Sequence, residues 1–399
     1  MQSRILTCIT AVAAFAALTA PVRSIAQNQQ TSHKQRYSVT NLGTLGGTFS
    51  AGNGINNRGW VTGAATLANN TEHAAFWIDG LTFDLGTLGG PNSSVPFPIK
   101  DDRGYVAGIA DTATMDPAHE NFCAFGDGYE CEAFLWRNGV MTQLPNTLGG
   151  NNSRAAGANN PGQIVGWAEN TTQDPTCISP AVYQYKPVVW GPKNGQMQVL
   201  PTLSGDPDGA AVAINDQGLI VGISGPCGDD DGLGAAHAVV WQNGTVTKLP
   251  SFGGKYFNTA AAVNEKGQIA GWADLANDTA LCVPACHAVL WTTSGGFKDL
   301  GTLPGDLNSL AYGVNEQGQV VGQSIDANGN TRAFIWQDDV MTDLNSLVPH
   351  GSQALAYAGD INDRGEITGG SCVSSSGSCA ATSATTAFLA TPKRDARQK

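Results

Sequence analysis

Long apolar runs are scarce in this chain. The single example, residues 5–20, follows Arg4, stops at Pro21 and precedes the small-x-small stretch Ser24-Ile25-Ala26. That is the layout of a secretory signal, and the run is short for a membrane span, which wants about 20 apolar residues. Cys8 sits inside the run and not behind it, which argues against lipid attachment. Residues 1–26 therefore read as a signal peptide, and cleavage after Ala26 leaves no stable membrane anchor. Basic residues are scarce too. The 21 Lys and Arg face 33 Asp and Glu, and the net charge of −12 becomes −14 once Arg4 and Arg23 leave. A surface of that sign excludes nucleic acid as a natural partner. Catalytic signatures are absent as well: no Ser/His/Asp arrangement, phosphate-cradling loop or pair of carboxylates stands out.

Glycine is what the chain has in excess, 50 of 399 residues against a usual share of about 7%. The excess is periodic. Asn, two residues, Gly and an apolar strand recur at 56–59, 159–162, 215–218, 264–267, 315–318 and 362–365, with a degenerate copy at 101–104 that begins with Asp101. The turn glycines are 45, 58, 56, 49, 51 and 47 residues apart, a period of propeller blades and not of the shorter solenoid coils.

Each copy accommodates four short strands. In the fourth, residues 210–215 form strand A, Asp216 and Gln217 turn at Gly218, and residues 219–224 form strand B. Strand C spans 237–241, and Asn243-Gly244 turns the chain into strand D at 245–249, a meander. Strand A is small throughout, as in Ala260-Ala261-Ala262 and Ala356-Tyr357-Ala358-Gly359, which suits strands crowded around an axis. A second phrase, Leu-Gly-Thr-Leu-Gly-Gly at 42–47 and its variants at 85–90, 144–150, 200–205, 249–254, 300–305 and 344–351, links each strand D to the next strand A. Its glycines permit a positive-φ crossing.

The ends complete the pattern. The last copy stops after strand C at Ala387-Phe388-Leu389, and the chain begins with an unattached strand D at 37–42. The predicted fold is all-β, a seven-bladed β-propeller of four antiparallel strands per blade, closed by the N-terminal strand. The predicted boundaries are a linker at 27–36, the propeller at 37–392 and a polar tail at 393–399.

Strand C carries His73-Ala74-Ala75-Phe76-Trp77, with counterparts at 132–136, 186–190, 237–241, 287–291, 332–336 and 386–390. With the Asn-x-x-Gly and Leu-Gly-Thr-Leu-Gly-Gly phrases, the chain resembles the HAF-repeat family of extracellular repeat proteins over nearly all of 37–392. The resemblance implies export and repeat architecture and brings no particular activity. Glu132, Lys186, Arg332 and Thr386 depart from the family's first letter, so His73, His237 and His287 read as polar strand starts and not as metal ligands.

Eight cysteines remain after the signal, all between strands B and C. An even number in an exported chain favours disulfides. Shared loops pair Cys123 with Cys131, Cys282 with Cys286 and Cys372 with Cys379, and adjacent blades pair Cys177 with Cys227. Cys282 to His287 has one residue too many for c-type haem attachment, and no Cys/His quartet has zinc spacing. No cofactor is expected. Asp229-Asp230-Asp231, Asp206-Pro207-Asp208-Gly209 and Asp326-Ala327-Asn328-Gly329-Asn330 are oxygen-rich turns that suit solvent or weak Ca2+, none with a full calcium loop.

Short A–B and C–D turns make one face uniform, while the other carries the long B–C insertions. Trp167 and Trp272, placed where those insertions begin, are the candidate ligand-binding residues by sugar stacking, with blade packing as the other reading. The first functional expectation is a secreted or periplasmic binding or scaffold module for a polysaccharide or other cell-surface component. The alternative is an extracellular carbohydrate-active hydrolase or lyase, with Asp111, Glu169 or Asp274 at the mouth of the channel on the B–C face.

Overall fold

The computed structural model describes residues 35–191, 196–227, 237–374, 377–380, 383 and 385–393. The expected signal peptide, most of the linker, Asp229 to Asp231 and all but the first residue of the tail lie outside these. The described strands begin at Tyr37 and end at Pro392.

Seven four-stranded antiparallel sheets form a β-propeller. Blade 1 runs Gly46–Ile55, Val61–Leu67, Glu72–Ile78, Leu81–Asp84 from strand A to strand D. Blade 7 takes strands A to C from Ala354–Ile361, Ile367–Cys372 and Thr386–Pro392, and its strand D is Tyr37–Asn41 from the other end of the chain. The register runs from Tyr37 opposite Pro392 to Asn41 opposite Phe388. The ring is closed as the missing last strand required.

Hydrophobic packing and hydrogen bonds between blades hold the ring. The Phe of strand C is fully buried in Phe134, Phe334 and Phe388, and each such side chain stabilises by roughly 1.5–3 kcal/mol. In blades 3, 4 and 5, Trp190, Trp241 and Trp291 are buried and donate Nε1–H to the carbonyls of Pro145, Pro201 and Pro250 at 2.9, 2.7 and 2.7 Å. The strand C alanine donates its N–H to a serine on the next blade's strand A: Ala74 to Ser93, Ala133 to Ser153, Ala288 to Ser309 and Ala387 to Ser50, at 2.8–2.9 Å. The last of these joins blade 7 to blade 1.

The first letter of the strand C motif is also structural. Nδ1 of His73, His237 and His287 lies 2.8, 2.9 and 3.0 Å from Asp84, Asp206 and Asp299. Arg332 meets Asp306 at 2.7 Å in the same way.

All four disulfides pair as the loop positions required: Cys123–Cys131, Cys177–Cys227, Cys282–Cys286 and Cys372–Cys379, with Cα atoms 5.8, 4.5, 4.6 and 6.0 Å apart. Such bridges are a property of oxidising compartments. Among the described residues, no helix is long and apolar enough to cross a membrane.

Candidate functional site

The uniform mouth of the channel is built by the Asn-x-x-Gly turns. Asn215 shows why the repeat begins with Asn. Its Oδ1 accepts from the backbone of Gln217 and Leu219 at 3.1 and 2.9 Å, and its Nδ2 reaches the carbonyl of Asn264 in the next blade at 3.0 Å. Asn264, Asn315 and Asn362 repeat the reach, and Asn362 closes on Asn56 at 2.9 Å. Asp101, the degenerate copy, has no amide to donate. Its carboxyl is buried with Oδ2 unpartnered, and burial pushes its pKa up.

One residue further on, a second ring lines this mouth. The backbone N–H of Asn57, Asp102, Asn160, Asp216, Glu265, Glu316 and Asp363 each donates to a side-chain oxygen of the next member, at 2.6–2.9 Å. Burial, with the carboxylates of Asp216 and Glu316 alongside, raises the pKa of Glu265. Lys100 also borders this mouth and bridges to blade 7, donating to Asp360 Oδ1 at 2.6 Å and to the carbonyl of Ile361 at 2.8 Å.

The opposite end of the axis holds a cavity of about 310 Å³. Its wall comes from strand A residues three and five positions before the turn Asn in blades 1, 4, 5, 6 and 7, namely Asn53, Val212, Thr259, Ala261, Tyr312, Tyr357 and Gly359, with Pro96 and Pro98 in blade 2. Alternation along a strand puts those positions on one face. Phe97, Trp272 and Gln323 complete it. In blade 2 the prolines cannot donate ladder hydrogen bonds, so strand A ends at Ser94 and Phe97 is free to enter the lining. Burial pushes the phenols of Tyr312 and Tyr357 far above their ordinary pKa, so both stay neutral. Tyr312 and Trp272 meet edge to face with centroids 5.8 Å apart.

The sequence candidates fall differently around this cavity. Strand B is longer than expected in blade 3, Ile164–Gln173, and spans Gln268–Asp274 in blade 5, so Trp167 and Trp272 lie within strands. Both are buried, 1% and 3% exposed, and only Trp272 touches the cavity. Trp167 packs against Phe97 at 5.8 Å and under Arg154 at 5.0 Å. Sequence reasoning missed Tyr312, Tyr357, Phe97, Asn53 and Gln323. Asn53, Tyr312 and Tyr357 were signalled by bulk or polarity interrupting the small-residue pattern of the inner strands, whereas Gln323 stands on strand B and Phe97 outside a strand.

Asp111, Glu169 and Asp274 occupy three different blades and lie outside the cavity lining. Each is buried beneath a D–A crossing. Gly89 makes that crossing with φ +114°, and a Cβ on the following Gly90 would collide with Asp111. The glycine after the positive-φ residue thus serves close approach and not backbone freedom. Asp326 folds its turn onto itself, accepting from the backbone of Asn328 and Asn330 at 2.8 and 2.9 Å. Among the described residues the single group of three metal-capable side chains is Asp274 with Cys282 and Cys286, and both sulfurs are in a disulfide.

The molecule is thus an all-β propeller with an aromatic axial cavity. No protein-family model matches the chain, and no curated protein matches it. Among solved structures it is similar to the β-propeller domain of the Trilobed protease from Pyrococcus furiosus, at 10% identity over 88% of this chain and 100% of that one, TM-score 0.48. It is similar also to the Pyrococcus horikoshii acylaminoacyl peptidase, at 12% identity and TM-score 0.48, covering 87% of this chain and 53%, about half, of that one. AofleA from Arthrobotrys oligospora matches at 12% identity over 77% of this chain and 88% of that chain, TM-score 0.40.

Proposed function

We propose that this propeller is an exported binding or scaffold module of the HAF-repeat type, secreted or periplasmic, whose ligand enters the axial cavity on the long-loop face. The ligand class is a neutral sugar residue of a polysaccharide or other cell-surface component. One observation carries the reading: the cavity lining combines the aromatic residues Tyr312, Tyr357, Trp272 and Phe97 with the amides Asn53 and Gln323. Its volume of about 310 Å³ falls at the lower end of ligand pockets, which run from about 300 to 1,000 Å³. Aromatic rings with a few polar groups suit the apolar face and hydroxyl edge of a pyranose. The signal-like N-terminus and four disulfides support export.

No carboxylate is among the lining residues, so the hydrolase or lyase alternative gains no support from this cavity. A glycan array followed by a reducing-sugar assay on each captured glycan tests the reading. Binding without turnover is the expected result. Release of new reducing ends would replace the binding module with an enzyme, and an array with no hits would remove the saccharide.

A further inference from the structure

The long insertions of the loop face carry acids that meet acids of the scaffold. Asp127, in the insertion of blade 2, meets Asp111 on strand B of that blade. Glu120, from the same insertion, reaches across to blade 3 and meets Glu169. Asp174 of blade 3 meets Asp208 on strand A of blade 4, and Asp278 of blade 5 meets Asp274. The scaffold member is buried in all four pairs, with Asp111, Glu169, Asp208 and Asp274 at most 1% exposed.

Each scaffold acid spends one oxygen on a scaffold or loop donor. Asp111 accepts from Asn92 N at 3.0 Å, Glu169 from Asn152 Nδ2 at 2.9 Å, Asp208 from Tyr185 N at 2.7 Å and Asp274 from Cys282 N at 2.9 Å. The other oxygen of Glu169, Asp208 and Asp274 has no donor, and neither has one oxygen of Glu120 and of Asp278. Two buried carboxylates in contact with nothing between them repel. A proton held between them converts the repulsion into a hydrogen bond.

A divalent cation is the competing filler. Calcium takes about 6–8 oxygens, and among the described residues none of these pairs gathers a third free metal-capable side chain. A proton needs only the two oxygens present.

The charged surroundings differ from pair to pair. Asp116 adds negative charge around Glu120, Glu130 lies beside Asp116, and Asn152 Nδ2 also donates to Asp116 at 2.9 Å. Lys186 faces Asp208 and Lys255 faces Asp278. Arg154 donates to the carbonyl of Phe122 at 3.0 Å and covers the ring of Trp167.

We infer that shared protons clasp the long insertions to the scaffold, so that the loop face is docked in acidic surroundings and loosens as they become alkaline.

Burial sets the window. Burial, reinforced by the partner's charge, pushes Asp111 up to about 8, Asp208 to about 7 and Asp274 to about 6. It also raises Glu169 and Glu120. The folded protein therefore holds protons that the unfolded chain releases near about pH 4. That stability is complete below about pH 4 and is lost as the pH rises through roughly 6 to 10. Asp174 and Asp278 are held low instead, and their contribution is lost only at lower pH still.

Hydrogen exchange of residues 116–128 in the disulfide-intact wild type, corrected for intrinsic rates, tests the clasp without a variant. Protection in this segment falls by roughly tenfold or more between about pH 5 and pH 10, alongside a drop in melting temperature of roughly 5 °C or more. The double variant Asp111→Asn, Glu169→Gln keeps a permanent donor toward both Asp127 and Glu120, and its protection in that segment no longer changes with pH. Wild-type protection that is flat or rises across that range overturns the proposal. So does millimolar Ca2+ that restores protection at alkaline pH, which would make the pairs cation sites.

Discussion

Asp363 donates its backbone N–H to Asn57 Oδ1 at 2.9 Å and accepts from Asn57 Nδ2 at 2.7 Å, although the two residues are 306 positions apart. This contact closes the ring of turns on one face, as the pairing of Tyr37–Asn41 with Thr386–Pro392 closes blade 7. The two closures use different chemistry. One is a circle of side chains reading the next blade's backbone, and the other completes a sheet.

The circle of turn asparagines has one broken link, at Asp101. Asp101→Asn supplies the missing donor toward the turn of blade 3 and removes a buried carboxyl. It stabilises the protein by about 1 kcal/mol in urea unfolding. The reverse change, Asn264→Asp, takes a donor from the carbonyl of Asn315 and costs about 1–3 kcal/mol. An Asp101→Asn variant less stable than wild type would contradict this account of the repeat.

The N-terminal strand is anchored by Tyr37, 1% exposed and packed with Ile335, Leu347 and Phe388. Tyr37→Ala costs about 3–5 kcal/mol, the usual range for a large buried aromatic. Deleting residues 27–42 exposes the edge of Thr386–Pro392 and promotes aggregation. Equal urea midpoints for Tyr37→Ala and wild type would mean that the strand does not close the ring.

Trp167 and Trp272 differ in their surroundings, and substitution separates them. Trp167→Ala lowers stability by about 3–5 kcal/mol and leaves ligand affinity intact. Trp272→Ala lowers stability and affinity together, because its ring also borders the cavity. Calorimetric melting of both variants, with titration of any array hit, tells the two roles apart. Lost affinity with unchanged melting in Trp167→Ala would make it a stacking residue.

The sequence made the blades, the closing strand and the cysteine pairs legible because each rests on a repeated phrase or on a residue count that forces a partner. The cavity was less legible. Strand A reads as uniformly small, so Tyr312 and Tyr357 pass as minor exceptions until the axis is seen to collect alternate positions from most blades. Phe97 was hidden for another reason. Pro96 and Pro98 keep the wall positions of the repeat but break the strand, and Phe97 between them lines the cavity where the middle residue of the other copies does not. The acids Asp111, Glu169 and Asp274 stood out by position, but their burial depends on the glycine crossings packed above them and on acids of the long insertions.

The central claim is that the aromatic cavity on the long-loop face binds the ligand. Isothermal titration of the strongest glycan-array hit into wild type, Tyr312→Ala, Tyr357→Ala and a triple Asp216→Asn, Glu265→Gln, Glu316→Gln variant tests it most directly. The account predicts at least a roughly tenfold loss of affinity, about 1.4 kcal/mol, in each tyrosine variant and unchanged affinity in the triple variant. Affinity retained in both tyrosine variants and lost in the triple variant would contradict it and move the site to the short-turn mouth.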